Sequence, residues 1–245
     1  MARNRTIPAL TDHDRDLVRG LVLHEDAAVL AFNKPSGLPS QVRGNRARNL
    51  DHLLWAFAKS NGKRPRLVHR LDSGTSGVVV AAKTQPDAVA ISRQFEARAV
   101  EKTYLALVVG APDADTGIID APIARVEVAG RSRIIAGHRD GKPAETLWRV
   151  LSRSDDHALV EAKPKTGRMH QIRVHLAHLG CPIAGDALYG GGAASRMALH
   201  ALSLAFDHPR TGKRMTVSAL VPGDLKSLGL ASGLSSAVFE TTSLF

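Results

Sequence analysis

The run Leu67-Val68-His69-Arg70-Leu71-Asp72 passes through Ser73-Gly74-Thr75-Ser76-Gly77 into Val78-Val79-Val80-Ala81-Ala82-Lys83, and its reading decides the fold. Residues 78–82 are short, apolar and β-branched, which is the pattern of a buried strand. Residues 73–77 carry the small polar and glycine chemistry of a tight turn. A carboxylate, Asp72, therefore stands where a loop enters a strand, with Arg70 and, if protonated, His69 as cations beside it. Loop residues held by a rigid scaffold are where reactive groups concentrate. The same position also suits an aspartate that caps the turn through backbone amides, and the run alone leaves both readings open.

Working outward, residues 28–33 read as a strand that ends in the turn Lys34-Pro35-Ser36-Gly37. Arg43, Arg46 and Arg48 lie in a polar loop, and Leu50, Leu53, Leu54 and Phe57 recur at helical spacing, predicting a helix over 50–59. Pro86 near a helix start, with Ala88, Ile91 and Phe95 on one face, predicts a helix over 87–98. Strands follow at 102–109, 146–152 and 158–163, the last two as a hairpin through Asp155-Asp156. Residues 118–142 read as short strands around an exposed basic excursion. Strands near 202–206 and 215–221 close the domain. Strands and helices do not alternate regularly, so the expected class is α+β on a mixed or antiparallel sheet. The domain is expected to span 21–225, with residues 1–20 as a mobile or loosely docked arm and 226–245 as a tail of unassigned role.

Composition narrows the function. The chain has 245 residues, 44% of them apolar, enough for a substantial core. Lys and Arg number 33 against 23 Asp and Glu, a formal charge of +10 that points to a polyanionic partner. Aromatic residues make up only 4%, which argues against a broad base-stacking surface and leaves room for one or two dedicated rings. The lone Cys181 excludes an intrachain disulfide and suits a reducing compartment. No signal peptide and no apolar run of roughly 20 residues is visible, so the expectation is a cytoplasmic protein without a membrane span.

A third helix is predicted over 168–179, with Met169, Ile172, Leu176 and Leu179 as its apolar stripe and Arg173 at the edge. An arginine there either snorkels to water or is buried against a carboxylate, and Asp72 is a candidate partner. His170, His175 and His178 spread over roughly 140° of the helical wheel and share no i, i+4 face, so no metal site is expected.

Taken together, these blocks resemble the RluA-type family of RNA pseudouridine synthases. The likeness rests on Asn33-Lys34-Pro35-Ser36-Gly37, His69-Arg70-Leu71-Asp72 with Thr75-Ser76-Gly77, Lys102-Thr103-Tyr104-Leu105-Ala106, the run Gly167-Arg168-Met169-His170-Gln171-Ile172-Arg173-Val174-His175, and Gly185-Asp186-Ala187-Leu188-Tyr189-Gly190. It extends from about residue 22 to 222, in the family's order and spacing. It implies an elongated mixed sheet with flanking helices and a central cleft, working without metal or cofactor. Asp72 would be the catalytic aspartate, Tyr104 the ring against the target base, and Arg173 the cation paired with Asp72.

The resemblance further implies that Arg70, Lys102, Arg168, Arg43 and Arg66 contact RNA, ribosomal or transfer, and that the chain acts as a monomer. Only about twenty residues precede the first matched strand, so the small N-terminal RNA-binding domain of some relatives is not expected. Phosphate contacts would then come from the stretches 43–66 and 125–139. The rival expectation is a basic RNA-binding module without chemistry, in which Asp72 and Arg173 form a structural bridge. A glycosidic hydrolase would need two cooperating carboxylates, and only one is well placed.

Overall fold

The structure, a computed structural model, describes residues 10–42, 48–128 and 130–241. In chain order its elements are α1 (Asp12–Gly20), β1 (Val22–Glu25), β2 (Val29–Lys34), α2 (Leu50–Leu53), β3 (Arg66–Leu67), β4 (Ser76–Ala82) and α3 (Gln85–Glu96). Then come β5 (Glu101–Val109), β6 (Thr116–Asp120), β7 (Ile123–Val128), β8 (Arg131–Ala136), β9 (Glu145–Arg153), β10 (His157–Pro164) and α4 (Gln171–His178). β11 (Leu199–Asp207), β12 (Arg214–Ser218), α5 (Gly223–Ala231) and α6 (Ala237–Thr241) complete the chain. The architecture is mixed α+β and dominated by sheet, as expected. The chain falls into two compact units, residues 1–100 with 205–219, and residues 101–204 with 220–245.

In the first unit β1, β2 and β4 pair antiparallel in that order, and β3 adds to β4. The β-branched run predicted as a strand is fully buried along β4, and Lys34 stands opposite Gly77 in register. Thr84 caps α3 by accepting the Asp87 amide, and Pro86 sits in its first turn, where a missing N–H costs nothing. Ala88 and Ile91 turn inward from this helix. Arg210, from the β11–β12 turn, makes a two-pronged contact with the buried Asp87 at 3.0 and 2.8 Å. That guanidinium and the Thr84 hydroxyl hold the Asp87 carboxyl below its ordinary range.

In the second unit β5, β10, β9 and β6 form an antiparallel meander-like set, with β11 on the other side of β5. β7 and β8 make a separate antiparallel hairpin carrying Arg125, Arg131 and Arg133, which agrees with the expected basic excursion. The core is built from the inward faces of β5 and β10, from Ile172 and Leu176 of α4, and from Leu225, Leu234 and Phe239.

Four local expectations are corrected. Residues 12–20 are a capped helix rather than a loose arm: Thr11 and Asp14 form a reciprocal capping box, and Val18 is fully buried. The helix expected over 50–59 is one α-turn followed by a 3-10 turn, Leu54–Phe57, because Leu50, Leu53, Leu54 and Ala56 all turn inward. The helix expected over 168–179 starts later, at Gln171, behind a left-handed His170, and Met169 is exposed rather than part of a stripe. The tail contributes α5 and α6 to the second core. The Arg43 expectation lies outside the described residues. No helix among the described residues is long and apolar enough to cross a membrane.

The tail's part in the core is testable. Phe239 is 3% exposed and packs against Gly229 so closely that a Cβ added there would clash with its ring. Phe239→Ala is expected to lower stability by about 3 kcal/mol in urea unfolding. An unchanged midpoint would place this ring outside the folded core.

Candidate active site

Asp72 is half-buried at the mouth of a β-turn closed by the Thr75 amide on the Asp72 carbonyl, 3.1 Å. The turn is held by the segment following β2. Lys34 is 0% exposed, and its ammonium donates to the carbonyls of Pro35, Leu38 and Ser73 at 3.0, 2.7 and 3.1 Å. An ammonium has three donors, so these acceptors match its full hydrogen-bonding capacity. Ser36 donates to the Gly74 carbonyl, Gly37 to that of Ser73, and Ser73 back to that of Gly37. Ser40 both donates to the Leu71 carbonyl and accepts the Leu71 amide, 2.7 and 3.0 Å. The backbone from Leu71 to Thr75 is thus tied by these contacts, and the Asp72 carboxylate is carried on an immobilised backbone.

His69 does not supply the cation considered beside Asp72. Its Nε2 accepts the Val80 amide at 3.0 Å, which only an unprotonated nitrogen does. Its ring stacks on Phe95 of α3 with centroids 4.9 Å apart. The histidine is therefore a neutral strut between β4 and α3. Arg70 and Arg66 are exposed.

Tyr104, Lys102, Arg168 and Arg173 belong to the second unit. Tyr104 and Lys102 are two apart on β5 and share one face of that strand. Tyr104 is half-buried against the core, opposite Ala162. The Lys102 ammonium donates to the Thr166 carbonyl at 2.8 Å, and burial pulls its pKa down to about 8. Arg168 bonds the Pro143 carbonyl through Nε.

Arg173 is buried, as one of the two sequence readings required, and Asp186 is a carboxylate that grips it. Nε and Nη2 reach the two Asp186 oxygens at 2.6 and 2.8 Å, a bidentate pair in which Arg173 is 8% and Asp186 2% exposed. The guanidinium carbon lies 5.0 Å from the Tyr189 ring centroid, and the Tyr189 hydroxyl shares a hydrogen bond with His170 Nδ1 at 2.7 Å. Asp186 sits in a loop that only glycine allows: a Cβ on Gly185 would strike the Arg196 carbonyl, and one on Gly191 the Ile183 carbonyl. Neither Asp186 nor Tyr189 was assigned a role from the sequence. The glycines flanking both were the available signal.

The helix bearing Arg173 is seated by a buried polar network. Gln171 fills both donors and both acceptors: its amide donates to the Glu145 carbonyl and Thr146 hydroxyl, and its oxygen accepts from the Thr166 hydroxyl and Arg168 amide. His175 Nε2 faces the Ala121 carbonyl at 3.0 Å and must donate, so Nδ1 accepts from the Thr146 hydroxyl at 2.9 Å. Burial lowers the His175 pKa and keeps the ring neutral, consistent with that arrangement. Among the described residues no group of three or more His, Cys, Asp or Glu could hold a metal ion.

Two measurements check this geometry. Lys34→Met deprives three carbonyls of their donor and removes a fully buried, hydrogen-bonded ammonium, so stability should fall by about 2 to 3 kcal/mol and exchange of the Thr75 amide should accelerate. Unchanged protection at Thr75 would show that the turn stands without its clamp. Lys102 tests the second unit. Its folded pKa lies below the unfolded value, so the penalty of burying its charge is present below pH 8 and is relieved as pH rises toward the unfolded pKa, near 10.5. Stability should therefore rise across that window, and Lys102→Met should abolish the rise; an equal slope in both proteins would contradict the burial.

The family model described as RNA pseudouridylate synthase matches residues 28–178. An uncharacterised RNA pseudouridine synthase of Bacillus subtilis (strain 168) is 39% identical over 216 residues, 84% of this chain and 71% of that one. Ribosomal large subunit pseudouridine synthase D of Xanthomonas campestris pv. campestris is 42% identical over 227 residues, 84% and 67% of the two chains. The chain spans about two thirds of the length of such relatives, from 63% to 71% for the Chloroflexus aurantiacus and Bacillus subtilis proteins. Among solved structures, human RNA pseudouridylate synthase domain containing 4 superposes with a TM-score of 0.76 at 26% identity, covering 92% of this chain and 99% of that one. The matched region contains the clamped Asp72 turn, the β5 face with Tyr104 and the seated Arg173, and the chain belongs to the RNA pseudouridylate synthase family, isomerases that convert uridine in RNA to pseudouridine.

Proposed function

We propose that this chain isomerises uridine in ribosomal RNA, with Asp72 as the reacting carboxylate. The observation that carries the reading is the Asp72 turn, whose backbone is fixed by the Lys34 ammonium and the serine contacts while the side chain stays half-exposed. A carboxylate on such a mount is oriented in advance, which is how a protein lowers the entropic part of a barrier. Ribosomal RNA is preferred over transfer RNA because relatives such as the Xanthomonas protein carry the large ribosomal subunit in their names. We place its action in the cytoplasm, as a monomer.

The reaction breaks the N1–C1′ bond, turns the uracil and forms a C5–C1′ bond, while C5 gives up a proton and N1 takes one. No electrons are gained or lost. A uridine inside a stem must first leave the stack, at a cost of a few kcal/mol. Arg70, exposed two residues before Asp72, has the planar group that fills a vacated stack. Asp72 acts in its ionised form on the sugar or the base, and Arg173 is the guanidinium that steadies it during the reaction. Support for that role comes from how Arg173 is held: a bidentate carboxylate on one side and the Tyr189 face on another fix its plane. Tyr104 offers a flat ring for the detached uracil, and Lys102, Arg168, Arg66 and Arg43 take phosphates.

Asp72→Asn is nearly isosteric. It should reduce pseudouridine formation at least about a thousandfold, read by carbodiimide tagging, with RNA affinity within about twofold of wild type. Turnover retained by the variant would remove Asp72 from the chemistry. Comparing tagged sites in total RNA from cells with and without the gene should locate the lost pseudouridine in ribosomal RNA; a site lost only from transfer RNA would overturn that choice.

A further inference from the structure

The first unit carries an open groove of about 350 Å³ with β3 along one wall and α3 along the other. On the helix side Gln85, Val89, Ser92, Arg93 and Glu96 recur at i, i+4, i+7, i+8 and i+11, one continuous face. Arg66 of β3 stands across from them.

What sets this groove apart is the condition of its polar groups. Two arginines of the unit are engaged elsewhere: Arg64 grips Asp51 with both Nη atoms, and Arg210 grips Asp87. Among the described residues, the side chains of Arg66, Arg93, Gln85 and Ser92 make no hydrogen bond or ion pair. Both guanidiniums are exposed and face the same channel. Two cations and two neutral donors that the protein leaves unengaged along one track match a ligand with repeated anionic groups rather than a compact molecule. Glu96, at the C-terminal end of the helix face, is the one acid on the lining and marks where that track stops.

The groove is also coupled to the reactive turn. α3 is anchored by Ala88, which lies buried at the channel, and by the fully buried Ile91, and Phe95 carries the stacked His69. Arg66 precedes Asp72 by six residues, at most about 22 Å of extended chain. A strand whose phosphates lie along the channel is thus within a few nucleotides of the carboxylate.

We infer that the β3–α3 groove is a backbone track for substrate RNA, in which Arg66 and Arg93 take phosphates while Gln85 and Ser92 donate to phosphate or sugar oxygens. This rests on the reading of the chain as an RNA-modifying enzyme, but it concerns binding and not chemistry, so the two fail separately. The track positions the strand without reading its sequence.

The test is salt-dependent binding of the full chain to a fluorescein-labelled RNA hairpin with a single-stranded extension, followed by anisotropy. Each phosphate contact contributes a slope of about 0.7 to 0.9 in log affinity against log salt. Arg66→Ala with Arg93→Ala should therefore reduce the slope by about 1.4 to 1.8, and the wild-type advantage should shrink roughly tenfold between about 50 and 200 mM salt. Ser92→Glu, which adds a carboxylate to the channel without removing a cation, should weaken binding several-fold at low salt, and Glu96→Gln should tighten it about twofold. An unchanged slope in the double variant, with Ser92→Glu binding as wild type, overturns the track. A wild-type chain that bound this RNA with the expected slope change but formed no pseudouridine would remove the functional reading and leave the track standing; a chain that bound no RNA would remove both.

Discussion

The Lys34 ammonium, out of contact with water, donates to three carbonyls, and the Ser73 carbonyl is one of them. Burying a charge is unfavourable unless hydrogen bonds replace its hydration, and here they do so completely. The arrangement joins two segments that are remote in sequence, the exit of β2 and the entry of β4. A serine that both donates to and accepts from Leu71 completes the brace. The position of the carboxylate is thus a consequence of polar satisfaction at the strand ends, and the hydrophobic strands serve to hold those ends at fixed distance.

The second unit solves a similar problem for a cation. Arg173 is buried on a helix whose residues from Gln171 to Leu176 are all covered, so it requires a carboxylate and a fixed plane. Asp186 and Tyr189 provide these from one glycine-bounded loop, while Gln171, Thr146, Thr166 and His175 seat the helix by a network in which each hydrogen bond has a defined direction. The tautomer of His175 follows from its two partners. Such networks are stable only when every member is satisfied, and this one leaves no buried side-chain polar atom without a partner among the described residues.

Much of the fold was legible because β4, β5, β10 and α3 obey simple periodicity. The β-branched run of β4 and the Thr84-Pro86 start of α3 are local signals with local causes. α4 was legible as a helix but not in its start or facing, since a helix covered by apolar packing at Ile172, Val174 and Leu176 and by polar contacts at Gln171, Arg173 and His175 has no one-sided stripe to read. The tail was opaque for a related reason: the Leu and Ser spacing of α5 does not announce that Phe239 will close over Gly229. At the site, Asp72 and Arg173 stood out as charged residues at apolar boundaries. Asp186 did not, because a carboxylate among glycines reads as a loop until the backbone geometry is known. His69 illustrates the converse: it reads as a cation beside Asp72, and its environment makes it a neutral acceptor.

The charge of the chain fits this division of labour. Exposed arginines such as Arg66 and Arg70 are available for a polyanion, while the charges of Lys34 and Arg173 are buried and serve geometry. If Asp72 is the reacting group, its mounted carboxylate meets the target nucleotide. A crystal structure of the chain with RNA containing 5-fluorouridine at the modified position tests it most directly. In that complex the flipped nucleotide should have its sugar or base within about 3 to 3.5 Å of an Asp72 oxygen. A nucleotide bound in the protein with Asp72 out of reach of both would contradict it.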